Sequence, residues 1–117
     1  MYRLIHQNKI LGASLLESGD PSIGSASGKL VEAGACEDMV KWMQAEGGVA
    51  EDGVHLLEID KNFLVMIGPD NALPFEVGAI ICVPEEDEMF LEINGIPAPE
   101  YAHFFPKHME AFQEENK

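Results

Sequence analysis

Glu100 and His103 stand three residues apart, a spacing that puts a carboxylate and an imidazole on one side of a helical turn. Such a pair is half of a carboxylate-bridged metal site, which needs a second pair and further carboxylates from other helices. His108 and Glu110 follow, but Pro106 turns the chain between them and the first pair. There is no HExxH, CxxC or His-x-His, so no metal and no other cofactor is expected, and a polar helix face is the plain reading. His6, His55, His103 and His108 are the imidazoles that could take a proton beside a carboxylate. His55 shares a strand face with Leu57 and Ile59, which suits a satisfied core or interface histidine better than a base.

A second polar concentration lies at residues 17–28, Glu-Ser-Gly-Asp-Pro-Ser-Ile-Gly-Ser-Ala-Ser-Gly. Its composition predicts a loop, with a turn set at Asp20-Pro21. Gly24-Ser25-Ala26-Ser27-Gly28-Lys29 is not a phosphate loop. Only three residues separate its glycines, and Leu30 stands where a magnesium-holding hydroxyl belongs. Nor is it a Gly-x-Ser-x-Gly nucleophile elbow. Two readings stay open: a self-bonded loop of Asx and Ser turns, or the wall of a pocket. Such a pocket would lie between the 17–28 loop and the 100–108 segment and gather Glu17, Asp20, Ser25, Glu100, His103 and His108.

Glu85-Glu86-Asp87-Glu88 is the densest acidic run. It lacks the spaced ligands and glycine of a calcium loop, so it reads as a solvated hairpin tip or as bait for a basic partner. Trp42 lies about 100° from the neighbouring apolar helix stripe, where it either caps the core or anchors a partner. Cys36 falls on that stripe and Cys82 inside an apolar strand, and both suit small buried hydrophobes with inert thiols.

These residues sit in a chain of 117, sufficient for one domain spanning 1–117. Hydrophobic residues make up 46%, which argues against bulk disorder. The longest apolar run, Phe63–Ile67, is far short of the roughly 20 residues that span a bilayer. The N-terminus lacks a secretory h-region, so a cytoplasmic protein is expected. Seven Lys and Arg face 21 Asp and Glu, for a net charge of −14. Thirteen acids but only one base, Lys61, fall between Met43 and Pro106. That field repels nucleic-acid phosphates and anionic membranes, and neither is expected as a partner. It would attract a basic protein, would mimic nucleic acid if its carboxylates matched the phosphate spacing, or would simply keep the chain soluble.

The elements follow from periodicity. Residues 2–6 and 10–16, around polar Gln7-Asn8-Lys9, predict a hairpin in which Gly12 marks a bulge or a close approach. Cys36, Met39, Val40 and Met43 recur at helical spacing, with Glu37 and Asp38 in the first turn and Gly47-Gly48 as the stop. Residues 54–60 and 63–67 predict a second hairpin around Asp60-Lys61-Asn62. Phe63, Val65 and Ile67 oppose Leu64 and Met66, the two-faced pattern of a central or interface-covered strand. Val77–Val83 and residues 89–93 predict a third pair, followed by the Asn94-Gly95 turn. Pro97 and Pro99 end the sheet. Residues 100–105 make a helical turn, and Pro106 opens a last helix over 107–115. The fold expected is α+β: a curved antiparallel sheet or small open barrel of five or six strands, packed by one amphipathic helix, with a helical C-terminus.

Two segments, Leu15-Leu16-Glu17-Ser18-Gly19-Asp20-Pro21-Ser22-Ile23-Gly24 and Asn94-Gly95-Ile96-Pro97-Ala98-Pro99-Glu100-Tyr101, resemble small bacterial proteins of the kind carried on mobile integron gene cassettes. The resemblance implies a compact, cytoplasmic, self-associating protein of accessory role, and it carries no active residue onto this chain. The functional expectation is therefore a non-enzymatic interaction module. It would be homodimeric, meeting itself through Trp42 and the two-faced strand and a basic protein through Glu85, Glu86, Asp87 and Glu88. The alternative is a small enzyme or ligand-binding protein using the pocket between the 17–28 loop and the 100–108 segment.

Overall fold

A computed structural model describes residues 1–115 of the chain. Its first hairpin is made by a two-residue turn. Strands β1 (Tyr2–His6) and β2 (Lys9–Ser14) are joined by Gln7 and Asn8, at φ 51° and 65°. Two successive positive φ values match the right-handed twist of the strands they connect. The register slips between Leu4 and Ile5, leaving Leu11 as the extra residue of a bulge. Beside it, a Cβ on Gly12 would stand 3.0 Å from the Ala33 Cβ and the Leu30 side chain. The glycine stands beside the bulge and is crowded by side chains rather than by another backbone.

Residues 17–28 are not a loop but a second hairpin, β3 (Ser18–Asp20) and β4 (Ser25–Lys29). The turn chemistry is confined to the tip. Asp20 Oδ1 accepts from the Ser22 amide (3.0 Å) and the Ser22 hydroxyl (2.6 Å). Pro21–Ile23 form a 3-10 turn, and Gly24 closes it at φ 63°. The flanking Gly and Ser residues are drawn into strands because β4 finds a partner far along the chain, β10 (Glu88–Asn94). Composition cannot register that pairing.

Helix α1 (Cys36–Ala45) buries Cys36, Met39 and Met43. It ends in a Schellman arrangement: the Gly48 amide donates to Met43 and the Gly47 amide to Gln44, with Gly47 at φ 92°. Beyond it, β5 (Val49–Glu51) pairs with β6 (Val54–Ile59). The expected hairpin between β6 and β7 (Phe63–Ile67) does not form. β6 has β5 on one edge and β9 (Val77–Val83) on the other, so it has no free edge for β7. The Asp60-Lys61-Asn62 turn, in which Asp60 Oδ1 accepts from the Asn62 amide at 2.8 Å, is a corner between sheets. β7 instead lies between β1 and β8 (Asn71–Ala72), the central position its two-faced pattern predicts.

The fold is α+β, with ten strands in two antiparallel sheets, ordered β2-β1-β7-β8 and β3-β4-β10-β9-β6-β5. This is more strands than the five or six expected, and the sheets do not close into a barrel. One cluster of buried residues draws on both, among them Leu4, Val65, Ile80, Leu91 and Ile93. Helices α2 (Ala98–Phe104) and α3 (Pro106–Glu115) complete the C-terminus. No helix among the described residues is long and apolar enough to cross a membrane.

Candidate functional site

The polar groups converge where β3 meets α2 and α3. Leu16 leads into β3 with φ 48° and is wholly buried, a rare state for a branched side chain. Two hydrogen bonds hold it. Its amide donates to Ser14 Oγ (3.1 Å), and its carbonyl accepts from His108 Nε2 (2.8 Å). That second bond places the His108 proton on Nε2. The ring is also stacked flat on Phe105, centroids 5.0 Å apart. Strain that is held this firmly concentrates at functional positions.

Gly19 makes the convergence possible. A Cβ there would collide with the Tyr101 hydroxyl and come within 2.7 Å of both His108 Cδ2 and the Ser25 carbonyl oxygen. In the room it leaves, Tyr101 donates to the Ser25 carbonyl at 2.8 Å. Burial, then the negative charge of Asp20, push the Tyr101 hydroxyl up to about 12. Gly28 plays the same part for Glu17, whose carboxylate occupies the space a Cβ would take. The result is a cleft of about 430 Å³ lined by Glu17, Ser18, Asp20, Ser22, His108 and Phe112, among others.

Three of the expected pocket residues, Glu17, Asp20 and His108, therefore share one cleft. Ser25 joins through its backbone carbonyl. Glu100 and His103 do not line it. Glu100 sits in the first turn of α2, with Oε2 buried and without a hydrogen-bond partner. His103 is exposed, its ring edge-on to Phe104 at 4.9 Å. Among the described residues, no group of three or more His, Cys, Asp or Glu is placed to hold a metal ion. Tyr101, Gly19 and Leu16 are the site residues that sequence reasoning missed. Tyr101, Phe105, His108 and Phe112 recur at i, i+4, i+7 and i+11, and that stripe was the available signal.

No family model, curated protein or solved structure matches this chain. Its geometry and its charge are therefore the grounds for a functional reading.

The acidic run forms the tip between β9 and β10. Pro84–Glu86 make a 3-10 turn, and Asp87 completes it at φ 52°, its amide donating to the Pro84 carbonyl (3.1 Å). Glu85, Glu86 and Asp87 are exposed. Glu88, the first residue of β10, pairs with Lys29 at 3.2 Å, the one ion pair among the described residues. Trp42 does not join this tip. It is half-buried, with its ring edge-on to Phe63 (6.4 Å) and His6 (6.2 Å) on the four-stranded sheet. The two thiols are buried and free. Burial, then the neighbouring Cys36, push the Cys82 thiol up to about 12, which keeps it protonated and unreactive.

Proposed function

We propose that this protein is a non-enzymatic interaction module whose carboxylate surface recognises a basic protein. One observation carries the reading: in a chain of net charge −14, the described residues form a single ion pair, Lys29–Glu88. Most of the other carboxylates, Glu85, Glu86 and Asp87 among them, are exposed, and an uncompensated field of this kind raises association rates with cations. The tip presents three of them, Glu85, Glu86 and Asp87, on a fixed turn, with the Lys29-paired Glu88 beside them. A cytoplasmic setting is part of the proposal, supported by two buried cysteines that are unpaired. An adaptive accessory role, as the sequence resemblance implies, fits it.

Stopped-flow association with a fluorescent lysine-rich peptide across ionic strengths tests the reading. Glu86→Lys with Asp87→Lys should slow association more than it speeds dissociation. An on-rate whose salt dependence is the same in the variant and the parent would sink it. Self-association is proposed at the outward row Ile10, Ile5 and Leu64 of the four-stranded sheet, where Ile10 is 55% and Leu64 47% exposed. Leu64→Lys should then lower the sedimentation coefficient. The cleft supports a second reading, a site for a small polar ligand, because Glu17, Asp20 and His108 are held there by fixed backbone. A small amine that shifts the His108 ring resonances would favour it.

A further inference from the structure

The six-stranded sheet keeps all its helices on one side. α1 meets β6 and β9 on the core face, where Met43 touches Cys82. α2 and α3 meet β3 on the same face, where Gly19 lies against Tyr101 and His108. A sheet face left to water normally alternates to polar residues. Here the outward positions of β9 are Val77, Ala79, Ile81 and Val83, all apolar, while Gly78, Ile80 and Cys82 point into the core.

The pairing registers align these residues across strands. Lys29, Phe90, Ile81, Leu56 and Val49 stand directly opposite one another on β4, β10, β9, β6 and β5. At about 4.8 Å per strand the row is roughly 19 Å long. Phe90, Ile81 and Leu56 are partly exposed and lie outside the core cluster, and Val49 is 65% exposed. Carboxylates border the row on both sides. Glu92 and Glu58 flank Ala79 on one side, and Glu88 opposite Val83 and Glu51 opposite Val54 stand on the other. Among the described residues, the base at this border is Lys29, already paired with Glu88. At the Phe90 end the face dips into a hollow of about 380 Å³.

An apolar patch bordered by polar groups is the mark of a docking surface. Its charge selects the occupant. A second copy would bring Glu51, Glu58, Glu88 and Glu92 against four more carboxylates, which opposes association. We propose that this face docks a basic protein surface, one whose apolar centre is bordered by lysine or arginine. The proposal rests on the basic-partner reading and names the place and the apolar half of that recognition.

Two peptides of identical Leu and Lys composition test it, one with the leucines in a single helical stripe and one scrambled. The striped peptide should bind about tenfold or more tighter, because only it buries apolar surface on the row. Leu56→Thr with Ile81→Thr leaves the charge unchanged and puts a β-branched residue, which suits a strand, at both positions. It should erase that difference. Glu58→Gln with Glu92→Gln should weaken both peptides. In the unmodified protein, amide exchange should slow in β6, β9 and β10 on adding the striped peptide, a readout that needs no variant. Equal affinity for the two peptides, or a preference that survives Leu56→Thr/Ile81→Thr, overturns the face. If Glu85→Gln/Glu86→Gln weakens binding while the face variant does not, the basic-partner reading stands and the face falls. If neither peptide binds in a salt-dependent way, both fall. A dimer in sedimentation that Leu56→Thr/Ile81→Thr dissolves would overturn the basic occupant in favour of a second copy.

Discussion

Gly19 is the residue on which the cleft depends. Gly19→Ala puts a methyl group where the Tyr101 hydroxyl, His108 and the Ser25 carbonyl already crowd, so α2 and α3 must shift off β3. Overpacking of this kind costs about 1–3 kcal/mol. Urea unfolding should show it, and an unchanged midpoint would mean the helices are not seated on β3. Titration gives a second expectation at this scale. The Tyr101 hydroxyl ordinarily ionises near 10.0 and the Cys82 thiol near 9.0, and both are held protonated to about 12 in the fold. The unfolded chain therefore loses these protons first. The stability they contribute is full below about pH 9 and drains away as pH rises to about 12. Urea midpoints from pH 8 to 11 should fall, and Tyr101→Phe should flatten the upper part of that fall. A flat profile in the parent would show that neither group is shielded in solution. Glu17, Asp20 and His108 were legible as polar residues within reach of one another. Gly19 and Leu16 were not, because their roles depend on what another element presses against them.

At the scale of elements, local signals were readable wherever local physics decides. The α1 stripe, its glycine stop, the β1–β2 turn and Pro106 at the start of α3 all depend on neighbours a few residues away. The two failures involve distant pairing. Residues 17–28 became strands because β10 offers β4 an edge, and β7 left β6 because β5 and β9 hold both of its edges. The corner that redirects the chain is accordingly worth testing. Asp60→Ala removes the side-chain acceptor of the Asn62 amide, an Asx-turn hydrogen bond, and a bond of this kind contributes about 1 kcal/mol net. Thermal unfolding should register it as a loss of a few degrees, roughly 4–8 °C per kcal/mol in a domain near this size. No loss would imply that sheet pairing alone sets the corner.

For the whole molecule, the question is why 21 acids are set against seven bases. Clustered like charges oppose the compact state, and screening by salt relieves them. Chemical unfolding midpoints should therefore rise from low to moderate NaCl. Solubility and recognition then part company over Glu58 and Glu92. Both carboxylates serve solubility equally well wherever they stand, but only on the face of β6 and β10 do they border Ala79 beside the apolar row. Neutralising them should raise the stability of the free protein while weakening the striped peptide. Neutralising Glu37 and Glu114, which lie on helices away from that row, should leave peptide affinity nearly unchanged at the same net charge. If the two pairs weaken binding alike, the charge acts as a general field and its placement on the sheet means nothing. If only the sheet pair does, a position that raises stability when lost is retained for what it binds, the usual trade between stability and function.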